Sequence, residues 1–132
     1  MDIKKYIKIA NSLKKRAYAP YSKFNVVALI VLRNLDYVVG VNVENASFGL
    51  TMCAERNALF SLISQGFNLE EIEMMIIVGK TLKPIAPCGA CLQVMNELLP
   101  KNTKIILANY NYDIKETNIE SLLPYSFDSF KD

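Results

Sequence analysis

All three cysteines of the chain fall in two short fragments, Cys53-Ala54-Glu55 and Pro87-Cys88-Gly89-Ala90-Cys91, and the chain has no histidine. Three thiolates can hold a zinc ion, and nothing obvious supplies a fourth protein ligand. A structural zinc site normally closes its tetrahedron with four protein ligands, whereas a catalytic site keeps three and leaves the fourth position to water. The ligand count therefore leans toward catalysis, with Zn2+ as cofactor and Cys53, Cys88 and Cys91 as its ligands. Glu55, two residues after the first cysteine, is placed to handle the protons of that water.

Cys88 and Cys91 are three apart, so at the start of a helix both sulfurs share one face. Cys53 opens a second predicted helix. A helix N-terminus carries partial positive charge and free N–H groups, which favour thiolate over thiol. Three thiolates and one Zn2+ leave about one net negative charge, which weakens the metal as a Lewis acid. Arg56 follows Glu55 directly, and its guanidinium can offset that charge by donating to the sulfurs from behind the ligands. Blander readings exist. A proline-led Cys-x-x-Cys can be a redox pair, although such pairs usually follow a first strand and this one comes late. A carboxylate could complete a structural zinc site, and Cys53 alone could be an inert buried thiol. The joint pattern is far more specific than any of its parts.

These residues need elements to position them. Ile3, Tyr6, Ile7, Ala10, Leu13 and Ala17 recur at helical spacing, so residues 2–18 are predicted as an amphipathic helix ended by Pro20. Phe24 to Leu32 reads as a buried strand, Asn34-Leu35-Asp36 as a turn, and Tyr37 to Val43 as the returning strand of a hairpin. Glu44 to Met52 reads as a loop, Cys53 to Gln65 as a helix stopped by Gly66, and Met74 to Val78 as a strand. A loop over 83–87 precedes a helix from Cys88 to Leu99, with a strand from Lys104 to Ala108 and a further one over 110–115. Thr117 and Glu120 suit a capping box for a short last helix stopped by Pro124. Strands alternating with helices after a hairpin imply an α/β domain, a mixed sheet with helices on its faces.

Composition narrows the function. A chain of 132 residues with a hydrophobic fraction of 52% has the length and apolar content of one ordinary domain, 1–132. A net charge of +2, from 15 basic and 13 acidic residues, argues against a nucleic-acid partner. The longest apolar run, Val26 to Leu32, is too short to span a bilayer, so no membrane partner is expected. The first residues carry charges where a signal peptide needs an apolar stretch. Three cysteines cannot all pair, which favours metal or redox chemistry over disulfides. We expect a soluble, cytoplasmic protein.

The cysteine and glutamate pattern resembles the signature of zinc-dependent deaminases, in which the glutamate acts as general acid and base. Nearly the whole chain is similar to the small homotetrameric cytidine deaminases. Ala19-Pro20-Tyr21-Ser22-Lys23-Phe24 resembles the opening motif of that family, and Gly40-Val41-Asn42-Val43-Glu44-Asn45-Ala46-Ser47 its nucleoside-binding segment. Thr51 to Ala58 and Pro87 to Gln93 resemble its two zinc segments, and Leu122-Leu123-Pro124 with Phe127 its tail. The resemblance implies a three-layer α-β-α fold around a mixed five-stranded sheet. It implies hydrolytic deamination of cytidine and deoxycytidine to uridine and deoxyuridine, with release of ammonia, by a zinc-activated water in pyrimidine salvage. Cys53, Cys88 and Cys91 would bind zinc, and Glu55 would shuttle protons. Asn42 and Glu44 would hydrogen-bond the ribose hydroxyls, and the Ala54 backbone would contact the pyrimidine. Phe24 would line the pocket, and Phe127 would pack on the base in a neighbouring subunit of a homotetramer with shared active sites. Plain core packing is the alternative for Phe24 and Phe127, and a solvated strand end for Asn42 and Glu44. The chain departs from the family pattern at Val27, where Gly is common, at Phe48, where Tyr is common, and at Leu92, where Arg is common. None is a ligand. Rival activities are a blasticidin-type deaminase and a deaminase of a base in nucleic acid. A zinc-stabilised binding module is the rival from outside enzymology.

Overall fold

The structure, a computed structural model, describes residues 2–130. Strand β1 (Val26–Leu32) is apolar and buried at every position. That pattern requires cover on both faces, and the sheet supplies it. With β2 (Tyr37–Val41), β3 (Ile72–Gly79), β4 (Lys104–Asn109) and β5 (Ile114–Thr117), the sheet order is β2-β1-β3-β4-β5. β3 and β4 run parallel, and every other neighbouring pair is antiparallel. The mixed five-stranded sheet expected from sequence is present.

Side chains alternate along β1 between two packed layers. Ala28, Ile30 and Leu32 join the core formed with α2 (Ala54–Ser64), α3 (Gly89–Leu98) and α4 (Ile119–Leu122). Val27, Leu29 and Val31 join the core on the other face, closed by Tyr6, Ile7 and Ala10 of α1 (Ile3–Leu13). The result is helix, sheet, helix, with α2 and α3 side by side on one face.

Tertiary hydrogen bonds shift several predicted boundaries. The first helix stops at Leu13 and a 3-10 turn, Lys14–Arg16, follows, short of the expected end at residue 18. Tyr18 is extended instead, because its N–H donates to Asn42 O at 2.9 Å and its carbonyl accepts from Glu44 N at 2.8 Å. β1 starts at Val26 rather than Phe24, since Phe24 N is drawn to Ser22 Oγ at 3.0 Å. β5 starts at Ile114 rather than near residue 110. Asn109 Oδ1 accepts from the amides of Asn111 and Asp113, both at 3.0 Å, and folds that stretch into a turn. The last helix is capped by Asn118, whose Oδ1 accepts from Ser121 N at 2.8 Å, and not by Thr117.

Candidate active site

Both cysteine-bearing segments end the same way in space. The chain leaves β2, returns through residues 42–53, and reaches Cys53 as the N-cap of α2. It leaves β3, crosses residues 80–87, and reaches Cys88 as the N-cap of α3. Both cysteines have extended backbones (φ −73°, ψ 155° and φ −77°, ψ 167°), and neither makes a side-chain cap bond. The first N–H groups of both helices are therefore left to act on whatever anion sits there. Cys91, one turn into α3, is fully buried and points into the same place.

The three Sγ atoms lie within 4.8 Å of one another, and all three thiols are free. A tetrahedral ion with Zn–S bonds near 2.3 Å needs sulfurs about 3.8 Å apart, so a small contraction completes the site. The thiols already divide their protons. Cys53 is pulled down to about 5, first by the hydrogen bond from Cys91 and then by Arg56. Cys91 is pushed up by that same bond to Cys53 and by burial. Cys53 is thus the thiol of the three whose surroundings most favour the thiolate. Three soft sulfurs on two helix ends suit zinc.

Arg56 lies against the thiols. Its Nη2 donates to Cys53 Sγ at 3.5 Å, and its own pKa is raised by the bonds to Cys53 and Cys91. Its Nε is buried with no partner among the described residues. Glu55 lies in the first turn of α2 and is 5% exposed. Burial pushes its carboxyl above the ordinary range, and the charge of Cys53 adds to that. A carboxyl that holds its proton more readily than usual, beside a metal-binding cluster, is suited to both accept and donate.

Cys53, Cys88, Cys91, Glu55 and Arg56 therefore form one cluster. Residues 40–47 begin at the end of β2 and continue past it toward this cluster. Asn42 is buried, and its side chain is a clamp: Oδ1 accepts from Val26 N at 2.9 Å and Nδ2 donates to Phe24 O at 2.7 Å. Glu44 accepts from the amides of Tyr21 and Ser22, both at 3.1 Å, and from the Ser22 hydroxyl. These bonds hold its carboxyl below the usual range, Ser22 contributing most. Glu44, Tyr21, Ser22, Phe48 and Thr51 line a cavity of about 390 Å³. Phe24 is partly exposed and held by its backbone, and Ala54 is buried at the first helical position. Phe127 stands apart on the tail, half exposed, its ring edge-on to Phe130 at 5.3 Å. The tail lies along α3 through Gln93 Nε2 to Phe127 O at 2.9 Å and Asn96 Nδ2 to Asp128 Oδ1 at 2.8 Å.

Three positioning residues escaped the sequence reading. A β-carbon on Gly40, inside β2, would overlap Ala54 O and Ala58 N and reach within 2.7 Å of Ala58 Cα. Glycine there lets α2 sit directly on the strand. Asn57 Nδ2 donates to Val41 O at 2.8 Å and pins the same helix to the end of β2. Ser22 fixes Glu44. The available signals were a glycine within a strand pattern and a polar Asn57 beside the apolar Ala54 and Ala58.

Comparison with known proteins agrees with this geometry. The family model for the cytidine and deoxycytidylate deaminase zinc-binding region matches residues 1–108. A cytidine deaminase of Halalkalibacterium halodurans is 44% identical over 127 residues, covering 96% of this chain and 95% of the relative. The crystal structure of cytidine deaminase from Burkholderia pseudomallei superposes with a TM-score of 0.90 at 44% identity, over 96% of this chain and 100% of that one. The cytidine deaminase of Mycobacterium tuberculosis superposes with a TM-score of 0.80 at 30% identity, over 98% and 99% of the two chains.

Proposed function

Because this chain belongs to the cytidine and deoxycytidylate deaminase family, we propose that it hydrolyses free cytidine and deoxycytidine to uridine and deoxyuridine, releasing ammonia. The observation that carries the reading is the convergence of three thiols within 4.8 Å beside one buried carboxyl. Cys53, Cys88 and Cys91 would hold the zinc, which would supply a Lewis acid able to bring the pKa of water toward about 7. The helix ends and Arg56 hold the thiolates in place for it.

Glu55 carries the protons. It takes one from the attacking water and gives it to N3 of the base, then takes the proton of the new C4 hydroxyl and gives it to the departing amine, so that ammonia leaves as the C4 carbonyl forms. Its raised pKa supports this double use, since a carboxyl that holds its proton more readily than usual can hand it on as well as take it. Its burial keeps bulk water from competing for the proton.

Asn42 and Glu44 take the ribose hydroxyls. Each keeps capacity after its structural bonds: Asn42 has one Nδ2 hydrogen and one Oδ1 lone pair left, and Glu44 one Oε2 lone pair. Both are fixed by the backbone they hold, so sugar binding costs little side-chain entropy. The Ala54 amide, at the open end of α2, faces the pyrimidine, and Phe24 lines the pocket. Ionised Glu44 disfavours a phosphate brought near the sugar, so nucleosides are preferred over nucleotides.

The whole chain is read as one catalytic domain, acting in the cytoplasm in pyrimidine salvage. No helix among the described residues is long and apolar enough to cross a membrane. The functional unit is a homotetramer in which Phe127 of one subunit packs on the base bound by another. Exposed Phe48, Leu50, Tyr125 and Phe130 support this as apolar surface for subunit contacts. An absorbance assay on cytidine, deoxycytidine and CMP tests the substrate class. Turnover of both nucleosides with little on CMP is expected, and equal efficiency on CMP would contradict it.

A further inference from the structure

On the α1 side of the sheet a second cavity, of about 680 Å³, opens between the end of the first helix and the segments that follow β3 and β4. These are the carboxyl ends of the two parallel strands, the place where open α/β sheets most often receive ligands. Its wall carries Lys14, Lys15, Lys23 and Lys80, and among the described residues no acidic one lines it. Asn11, Asn25, Asn111 and Thr81 add neutral polar groups.

The wall is built rather than incidental. Lys14 Nζ sits over the Tyr110 ring, 4.8 Å from its centroid. Tyr110 OH donates to Asn25 O at 3.2 Å, and Asn25 Nδ2 donates back to Lys14 O at 2.8 Å. The three residues brace one another across elements far apart in sequence. Among the described residues the ion pairs are Arg33–Glu73 and Lys104–Glu116, so none of the four lysines is neutralised by a salt bridge. The Lys23 ammonium adds a small pull on the Glu44 carboxyl across the turn, without forming an ion pair.

Four like charges around one concavity repel, and a concave protein wall focuses their potential. An anion bound there removes the repulsion and gains several charge-assisted hydrogen bonds at once. The volume exceeds what inorganic phosphate fills and lies within the range of about 300–1,000 Å³ typical of small-molecule sites. We propose that this cavity binds a phosphate-bearing small molecule, at a site separate from the cysteine cluster and with Lys14 and Lys80 as its principal charges. It carries no part of the deamination chemistry.

Calorimetric titration of the zinc-loaded full chain at fixed ionic strength tests this, with inorganic phosphate, AMP and adenosine as probes. Phosphate and AMP are expected to bind saturably, and adenosine is not. Tighter binding of AMP identifies a nucleotide-like ligand, and equal binding identifies the phosphate group alone as what is read. Lys80→Gln, at an exposed position without a packing role, and Lys14→Gln are each expected to weaken binding about tenfold or more. Cytidine turnover measured without phosphate should be unchanged in Lys80→Gln. The titration reads binding alone, so it decides the proposal whether or not cytidine is turned over. No saturable binding at about 10 mM, well above a millimolar dissociation constant, would overturn it. So would binding that both variants retain at full strength, or adenosine binding as well as AMP.

Discussion

Gly40 and Ala54 stand so close that no β-carbon fits between the strand and the helix carbonyl. The strand that leads to Asn42 and the helix that starts with Cys53 and Glu55 are therefore one rigid unit, closed again by Asn57 on Val41 O at 2.8 Å. Cys53, Glu55 and Asn42 share that unit. Gly40→Ala must push backbone against backbone, where nothing can rotate away. We expect it to lower stability by about 1–3 kcal/mol or more, seen as a fall in Tm, and to lower zinc retention with it. An unchanged Tm and zinc content would show that α2 has freedom the packing denies.

Glu55→Gln should keep zinc and fold while losing nearly all turnover. Glutamine has the same shape and cannot carry a proton. General acid–base groups are worth about 10²- to 10⁴-fold, and a group used in several steps can exceed that. The raised pKa of Glu55 adds a stability prediction with a definite sign. A carboxyl whose folded pKa lies above its unfolded value costs stability once pH has passed both, so its neutral substitute should melt at the same temperature or higher. Activity above about a tenth of wild type would remove Glu55 from the shuttle role, given that range.

The cysteine cluster and its glutamate were legible because their residue types are rare in this chain and their spacing is rigid. Cys88 and Cys91 sit one turn apart on any helix, wherever that helix lies. The sheet was legible because β1 is apolar on both faces. The segment 109–113 was not, since Asn109 bends it with its own side chain, and that side chain is fixed from far along the chain by Nδ2 donating to Thr81 O at 3.0 Å. The first helix was read too long for a similar reason: Tyr18 is claimed by the backbone of Asn42 and Glu44, far along the chain. Gly40 was visible as a residue but silent about its partner, because α2 comes to it from outside the strand.

Arg56→Ala should weaken zinc binding about 10- to 100-fold, as loss of a group behind the ligands typically does. Competition with a chromophoric chelator measures it. The Nη2 contact to Cys53 at 3.5 Å comes from one arm of a guanidinium fork that an ammonium does not reproduce, so Arg56→Lys should restore only part of the affinity. Unaltered affinity in Arg56→Ala would place the control of the thiolates in the helix ends alone.

Phe127→Ala tests the shared site. Loss of an aromatic surface from a bound base costs about 1–3 kcal/mol, so kcat/KM should fall about tenfold with zinc content intact. Mixing Phe127→Ala subunits with Glu55→Gln subunits should return part of the activity, because some sites then combine an intact Glu55 with a neighbour's intact Phe127. A fully active monomer by light scattering would contradict the arrangement.

The most direct measurement is a zinc titration of chelator-stripped protein, with cytidine loss followed by absorbance. Activity should be absent without metal, rise linearly, and level off at one zinc per chain, the stoichiometry of the three converging thiols. Cys88→Ala and Cys91→Ala should abolish both the bound zinc and the rise. Full activity in the stripped protein, or a plateau that survives loss of a cysteine, would contradict a cytidine deaminase built on Cys53, Cys88 and Cys91.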